Sequence, residues 1–215
     1  MAVLSQVMVA DLPPPVRRSL RRSGVIGKPI PTAVAVRQEG RIRTSRDSKW
    51  LNFTARETYS IDEPGFWWKA ALKIGRIRVG RATDSLHHGH GRMDVKLLGI
   101  INVVDASGPE LDQGALLRWL NETMWFPAAW ATDVISWAAV DDNIAVGSIT
   151  ASEATVSGEF HFDDEGRLVD FCADRYRSVD GAFEMTAWRT PLTDHIVYRG
   201  VELPGQGSGV WKLDD

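Results

Sequence analysis

The sequence predicts a mainly β protein: a strongly curved antiparallel sheet or partly open β-barrel of about ten strands, with a short N-terminal helix and one central amphipathic helix covering the concave face. Three observations predict it. Apolar and polar residues alternate through long stretches on either side of the middle of the chain, the period of a strand with one buried face. Turn-forming clusters such as Pro64-Gly65 and Asp163-Asp164-Glu165-Gly166 separate those stretches. Only one long segment, from Ser107 to about Glu122, carries helical spacing.

At the N-terminus, Pro13, Pro14 and Pro15 open a short helix bearing Arg17, Arg18, Arg21 and Arg22, and Gly24 and Gly27 close it. The four guanidinium groups are expected on a solvated helix face. Each proline in Lys28-Pro29-Ile30-Pro31 biases its predecessor away from helix, so the chain runs extended there. Val34, Val36 and Ile42 alternate through a first strand, Leu51, Phe53 and Ala55 through a second, and Phe66, Trp68, Ala70, Leu72 and Ile74 through a third. Further strands are expected at 76–86, 92–104, 134–140, 144–150, 155–162, 167–179, 183–198 and 201–213, with turns at Asp141-Asp142-Asn143, Asp180-Gly181 and Arg199-Gly200. The Gly205-Gln206-Gly207-Ser208-Gly209 stretch reads as a bulge or kink that lets an edge strand curve. With no βαβ rhythm and no internal repeat, a parallel sheet is not expected.

Within the helical segment, Ser107 and Glu110 have the spacing of a capping box, and Leu111, Ala115 and Trp119 recur on one side with Leu116 and Leu120 beside them. Met124-Trp125-Phe126-Pro127 breaks the helix and is too apolar to sit in water. The whole chain, 1–215, reads as one domain: a helical arm (1–24), a first meander (32–104), the helix and aromatic segment (107–131) and a second meander (134–213).

A chain of 215 residues buries about 70% of its unfolded surface, so folding requires neither metal nor disulfide. The net charge of -3 lacks the Lys and Arg excess on which phosphate binding depends, and no nucleic-acid partner is expected. Cys172 is the only cysteine, which excludes an intramolecular disulfide. Residues 1–11 lack a basic n-region and a small-residue cleavage site, and no apolar run reaches the roughly 18 residues of a membrane span. The expected location is the cytoplasm.

Three groups of residues could carry chemistry. In His87-His88-Gly89-His90, His88 and His90 are two apart and could share a metal ion, whereas adjacent strand residues point to opposite faces. A solvated polar turn is the plainer reading, and no cofactor is expected. Most of the nine tryptophans are expected in the core; Trp68, Trp119, Trp125 and Trp188 are those expected to line a ligand pocket, since such pockets are largely apolar with a few convergent polar groups. The catalytic candidates are Glu110, Tyr59 and Tyr176, drawn from a wider polar set that includes Asp105, Asp112, Glu57, Asp174, Arg175 and Glu184. A carboxylate buried beside tryptophan would have a raised pKa and could act as general acid or base. No G-x-S-x-G elbow, P-loop or dinucleotide fingerprint is present.

These residues lead to an expected function: binding of an apolar organic small molecule in a Trp-lined cup between sheet and helix, and its conversion there by cyclisation, isomerisation or elimination. The alternative is a non-catalytic carrier of a lipid or hydrophobic metabolite using the same cup. Oligomeric state is left open.

The Leu12-Pro13-Pro14-Pro15-Val16-Arg17-Arg18 opening, the run from Val104 through Asp105, Ser107, Pro109 and Gly114 to Leu120, the Met124-Trp125-Phe126-Pro127 segment and the Phe160-His161-Phe162-Asp163 hairpin resemble an uncharacterised family of bacterial domains of unknown function common in actinobacteria. The resemblance touches nearly the whole chain and implies a shared fold, with no activity to carry over. The family pattern has Asp and Arg where this chain has His87-His88-Gly89-His90, which marks that turn as a departure. The expected architecture is also similar to the open barrels of bacterial lipoprotein carriers, a likeness of fold alone.

Overall fold

The computed structural model describes residues 2–43, 48–97, 101–179 and 181–213. Helix α1 (Pro14–Ser23) precedes six strands: β1 (Ala33–Ile42), β2 (Leu51–Ser60), β3 (Gly65–Ile74), β4 (Ile77–His87), β5 (His90–Leu97) and β6 (Ile101–Ser107). Helix α2 (Pro109–Glu122) and two 3-10 turns, Thr123–Trp125 and Pro127–Ala131, lead to β7 (Ser136–Ala139), β8 (Ile144–Ala151), β9 (Ala154–Phe162), β10 (Leu168–Val179) and β11 (Ala182–Arg189). The chain ends in β12 (Leu192–Tyr198), β13 (Val201–Gly207) and β14 (Val210–Trp211). Strands β1 to β6 form one meander sheet in chain order, β7 to β11 form a second with β14 added beside β11, and β12 pairs with β13 alone.

The chain is mainly β, antiparallel and has two α-helices, but it is not a single curved sheet or partly open barrel: the described residues form three sheets, and none closes into a barrel. Three of the expected strands are pairs of strands. The 92–104 stretch divides into β5 and β6, 183–198 into β11 and β12, and 201–213 into β13 and β14. Alternation continues through both arms of a hairpin, so the period alone does not reveal where the chain turns. Asp180 of the expected Asp180-Gly181 turn lies outside the described residues, although β10 and β11 pair as expected from Val179 opposite Ala182.

The capping box does not form. Ser107 ends β6, and α2 starts from Gly108 at φ 134°, ψ 175° with Pro109 at its first position and no side-chain cap. Glycine tolerates that backbone, and proline's missing N-H costs nothing where no helical acceptor exists. Nor is α2 apolar on one side only: Leu116, Leu117, Trp119 and Leu120 are all buried, because the helix packs against β3 to β6 of the first sheet and β8 to β10 of the second. Trp130 fills the space behind it, edge-on to Trp137, Phe160 and Phe162.

β5 begins directly beneath the first turn of α2. A Cβ on Gly91 would lie 2.4 Å from the Leu111 carbonyl oxygen and 2.9 Å from the Ala115 Cβ, and the Gly91 amide donates to Asp112 Oδ1 at 2.7 Å. Gly91→Ala is therefore expected to push α2 off β5 and to cost about 1–3 kcal/mol, read as a lower denaturation midpoint at unchanged m-value.

The arginines of α1 are tied to the protein rather than solvated as a group. Arg17 donates to the Ala10 carbonyl at 2.8 Å, Arg18 to the Asp142 carbonyl at 2.9 Å, and Arg22 pairs with Glu202 at 3.1 Å. Arg21 alone of the four stands exposed. At the other end of the chain the glycine-rich stretch carries β13 over to β14, and a Cβ on Gly209 would fall 2.4 Å from the Trp188 ring.

Candidate functional site

On the face of the first sheet that meets α2, Glu57, Trp68 and Asp84 lie side by side on β2, β3 and β4, with Tyr59, Phe66 and Leu86 in the adjoining row. The two-residue period of a strand is what puts two carboxylates and an indole together on a buried face. Arg118 and Glu122, one turn apart on α2, come down onto that row. Arg118 Nη2 donates to Glu57 Oε1 at 2.8 Å, Nη1 to Asp84 Oδ2 at 2.7 Å and Nε to Glu122 Oε1 at 3.0 Å. Its guanidinium carbon sits 4.7 Å from the Phe66 ring centre and 5.2 Å from that of Trp68, a cation-π geometry.

A second layer of hydrogen bonds holds this cage. The Tyr59 hydroxyl donates to Glu122 Oε2 at 3.0 Å, Gln38 Nε2 to Glu57 Oε2 at 2.9 Å, and Trp68 Nε1 to Gln38 Oε1 at 2.7 Å. Glu57 is 0% exposed and Tyr59 1%, whereas the side chains of Arg118 and Glu122 keep 14% and 13%. What exposure the ion-paired carboxylates and guanidinium retain is therefore greatest at Arg118 and Glu122 on α2.

One guanidinium facing three carboxylates leaves an excess of negative charge unless a proton stays bound. Burial first, and the Glu122 charge second, push the Glu57 carboxyl from 4.5 to about 8 against the opposing pull of Arg118. Burial works against the Arg118 charge, but Glu122, Glu57 and Asp84 outweigh it and hold Arg118 well above its ordinary value. Tyr59 is driven upward by burial and then by the two glutamates, so its phenol stays a donor. Arg175 on β10 is drawn downward by burial and then by the like charge of Arg118. It meets α2 at Gly114, one turn before Arg118, where a Cβ would lie 3.6 Å from its Nε. Glu57 and Glu122 thus form an unequal pair bridged by Arg118, with a proton held on the fully buried member near neutral pH.

Of the residues the sequence singles out, Tyr59 belongs to the cage and Trp68 forms its floor beneath Arg118. Trp125 is half-buried with its ring 6.4 Å from that of Tyr59. Trp119 is fully buried, its Nε1 donating to the Ser60 carbonyl at 2.9 Å. Trp188 lies on β11, edge-on to Trp211 at 4.8 Å and 5.2 Å beneath the Arg175 guanidinium. Glu110 sits in the first turn of α2, about two turns from Arg118. Tyr176 lies on β10 against Phe183, ring centres 6.4 Å apart, and points away from α2 because it alternates with Arg175.

The two histidines raised as metal ligands engage different carboxylates. His88 Nδ1 is 2.6 Å from Glu63 Oε1 and His90 Nδ1 is 3.1 Å from Asp112 Oδ2. Among the described residues no three His, Cys, Asp or Glu side chains are grouped to hold a metal ion. The turn instead joins the two sheets, with Ser152 Oγ of the β8–β9 turn donating to the His88 carbonyl at 2.9 Å.

Sequence reasoning did not select Arg118, Glu122, Asp84 or Gln38. A signal was present: Arg118 and Glu122 are one turn apart on a segment otherwise occupied by Leu116, Leu117, Trp119 and Leu120, and Asp84 falls on the apolar face of its strand together with Ala82 and Leu86.

Fold and cage together define an antiparallel β protein with a helix held between its two six-stranded sheets, anchored to one of them by a buried acid–base cluster. The chain belongs to a family of unknown function, DUF6544, whose model matches residues 2–215, in agreement with the resemblance carried by the proline-rich opening and the central helix. No curated protein and no solved structure matches it.

Proposed function

We propose that the protein is a cofactor-independent enzyme of the cyclase, isomerase or lyase type that moves a proton on an apolar organic small molecule, with Glu57, Arg118 and Glu122 as its acid–base centre. The observation that carries this reading is Glu57, a carboxyl with no solvent exposure, one guanidinium away from a second glutamate, where burial pushes it up to about 8. Near neutral pH Glu57 holds a proton, as a general acid must, and Glu122 faces it across Arg118. The substrate approaches Glu122 and Arg118, the members of the cage with some exposure. Glu122 takes a proton from one substrate atom and returns one to another, with Glu57 behind it, hydrogen-bonded to Glu122, as the proton reservoir. Arg118 stabilises the carboxylate left on Glu57, the Tyr59 hydroxyl orients Glu122, and Trp125 and Trp68 supply apolar walls. Among the described residues no helix is long and apolar enough to cross a membrane, and the sequence favours a cytoplasmic setting.

The test is to incubate the protein and its Glu57→Gln variant with a small-molecule extract of bacterial cells and to follow composition by chromatography and mass spectrometry. A compound converted by the wild type to an isomer or an elimination product, and untouched by the variant, is the expected result. A compound held by both proteins and released unchanged would replace this reading with the carrier one.

A further inference from the structure

The face of the second sheet turned away from α2 carries an open groove of about 390 Å³, a volume typical of small-molecule sites. Strand register builds it. Glu159 on β9, Cys172 on β10 and Arg189 on β11 form one row. Asp174 and Ala187 form the next, which Lys212 extends by donating its amide to the Ala187 carbonyl at 2.8 Å. Small side chains therefore occupy the middle of the trough, acids stand on one side and bases on the other.

Two of these charges are already engaged: Arg189 is paired with Asp170, and Glu159 lies 3.0 Å from His161. Asp174 and Lys212 make no side-chain hydrogen bond or ion pair to the described residues. They stand two strand intervals apart, about 10 Å at the usual spacing, on a backbone that fixes their separation. An acid and a base without partners among the described residues, across a small apolar floor, complement a ligand of the reverse polarity.

We propose that this groove binds a small zwitterion, an amine and a carboxylate joined by a short aliphatic stretch, with its ammonium on Asp174, its carboxylate on Lys212 and its methylenes over Ala187 and Cys172. Cys172 is floor rather than nucleophile: burial, followed by the Asp170 charge, pushes its thiol upward and keeps it protonated. The groove lies on the opposite side of the second sheet from α2 and stands independently of the acid–base cage.

The experiment is an amide NMR titration of the isotope-labelled protein with ε-aminocaproate, caproate and hexylamine. Saturable shifts at Cys172, Asp174, Ala187 and Arg189 are expected with ε-aminocaproate, the singly charged analogues binding about tenfold more weakly. Lys212→Gln and Asp174→Asn, both at exposed positions and checked for folding by circular dichroism, should each erase that preference. Equal binding of the three compounds, or no saturable shift with ε-aminocaproate up to its solubility, would overturn the proposal.

Discussion

Arg118→Ala is expected to destabilise the protein by about 3–5 kcal/mol, because it leaves Glu57, Asp84 and Glu122 facing one another without their counter-charge in a largely buried site. At this chain length that corresponds to a fall of roughly 10 °C in the unfolding temperature. The loss is electrostatic rather than steric, so it should not be additive with removal of a carboxylate. Adding Glu57→Gln to Arg118→Ala should recover part of the stability, and the coupling measured by the double-mutant cycle should be well above the scatter expected of independent sites. A loss below about 1 kcal/mol would place Arg118 with ordinary solvated ion pairs and dissolve the cage as a physical unit.

The second large effect is on the pH dependence of stability. Glu57 keeps its proton to about 8 in the folded chain, whereas an unperturbed glutamate releases it near 4.5. Between those values the native state binds more protons than the unfolded state, so the slope of unfolding free energy against pH is negative. The contribution from Glu57 is fully present below 4.5, declines as the pH rises and is lost above about 8. Its size is of the order of a few kcal/mol, softened by its coupling to Glu122. Urea denaturation from pH 5 to pH 9 should show the wild type losing stability relative to Glu57→Gln, which carries a permanently neutral side chain in the same place. Parallel profiles for the two proteins would mean that Glu57 is already ionised at the acid end of that window.

Much of the strand pattern was legible because alternation is a direct record of burial. Phe66, Trp68, Ala70 and Leu72 line one face of β3 as their spacing requires, whereas Tyr59, whose neighbours in sequence suggest a polar strand face open to water, is buried. What the spacing could not show is the partner of each face. A helix with one sheet beneath it keeps a wet side, and on that assumption Arg118 and Glu122 belong in solvent. With a second sheet packed on α2 that side disappears, and the two charged residues become a mostly buried ion pair. The same packing buries Trp119, Met124, Phe126 and Trp130. The separate β12–β13 hairpin escaped for another reason. Its residues alternate like those of the neighbouring strands, and the change of sheet occurs at Thr190-Pro191 and again at Ser208-Gly209, where a proline and a glycine mark a break without saying that the chain leaves the sheet.

The protonation of Glu57 is the point on which the cage and the proposed chemistry both depend, and carbon-detected NMR of the glutamate side-chain carboxyls measures it directly. The Glu57 resonance, assigned by its absence from the Glu57→Gln spectrum, is predicted to titrate with a midpoint near 8. A midpoint near the ordinary value of 4.5 would contradict it, making Glu57 an ionised member of a structural ion-pair cluster with no proton to give at neutral pH.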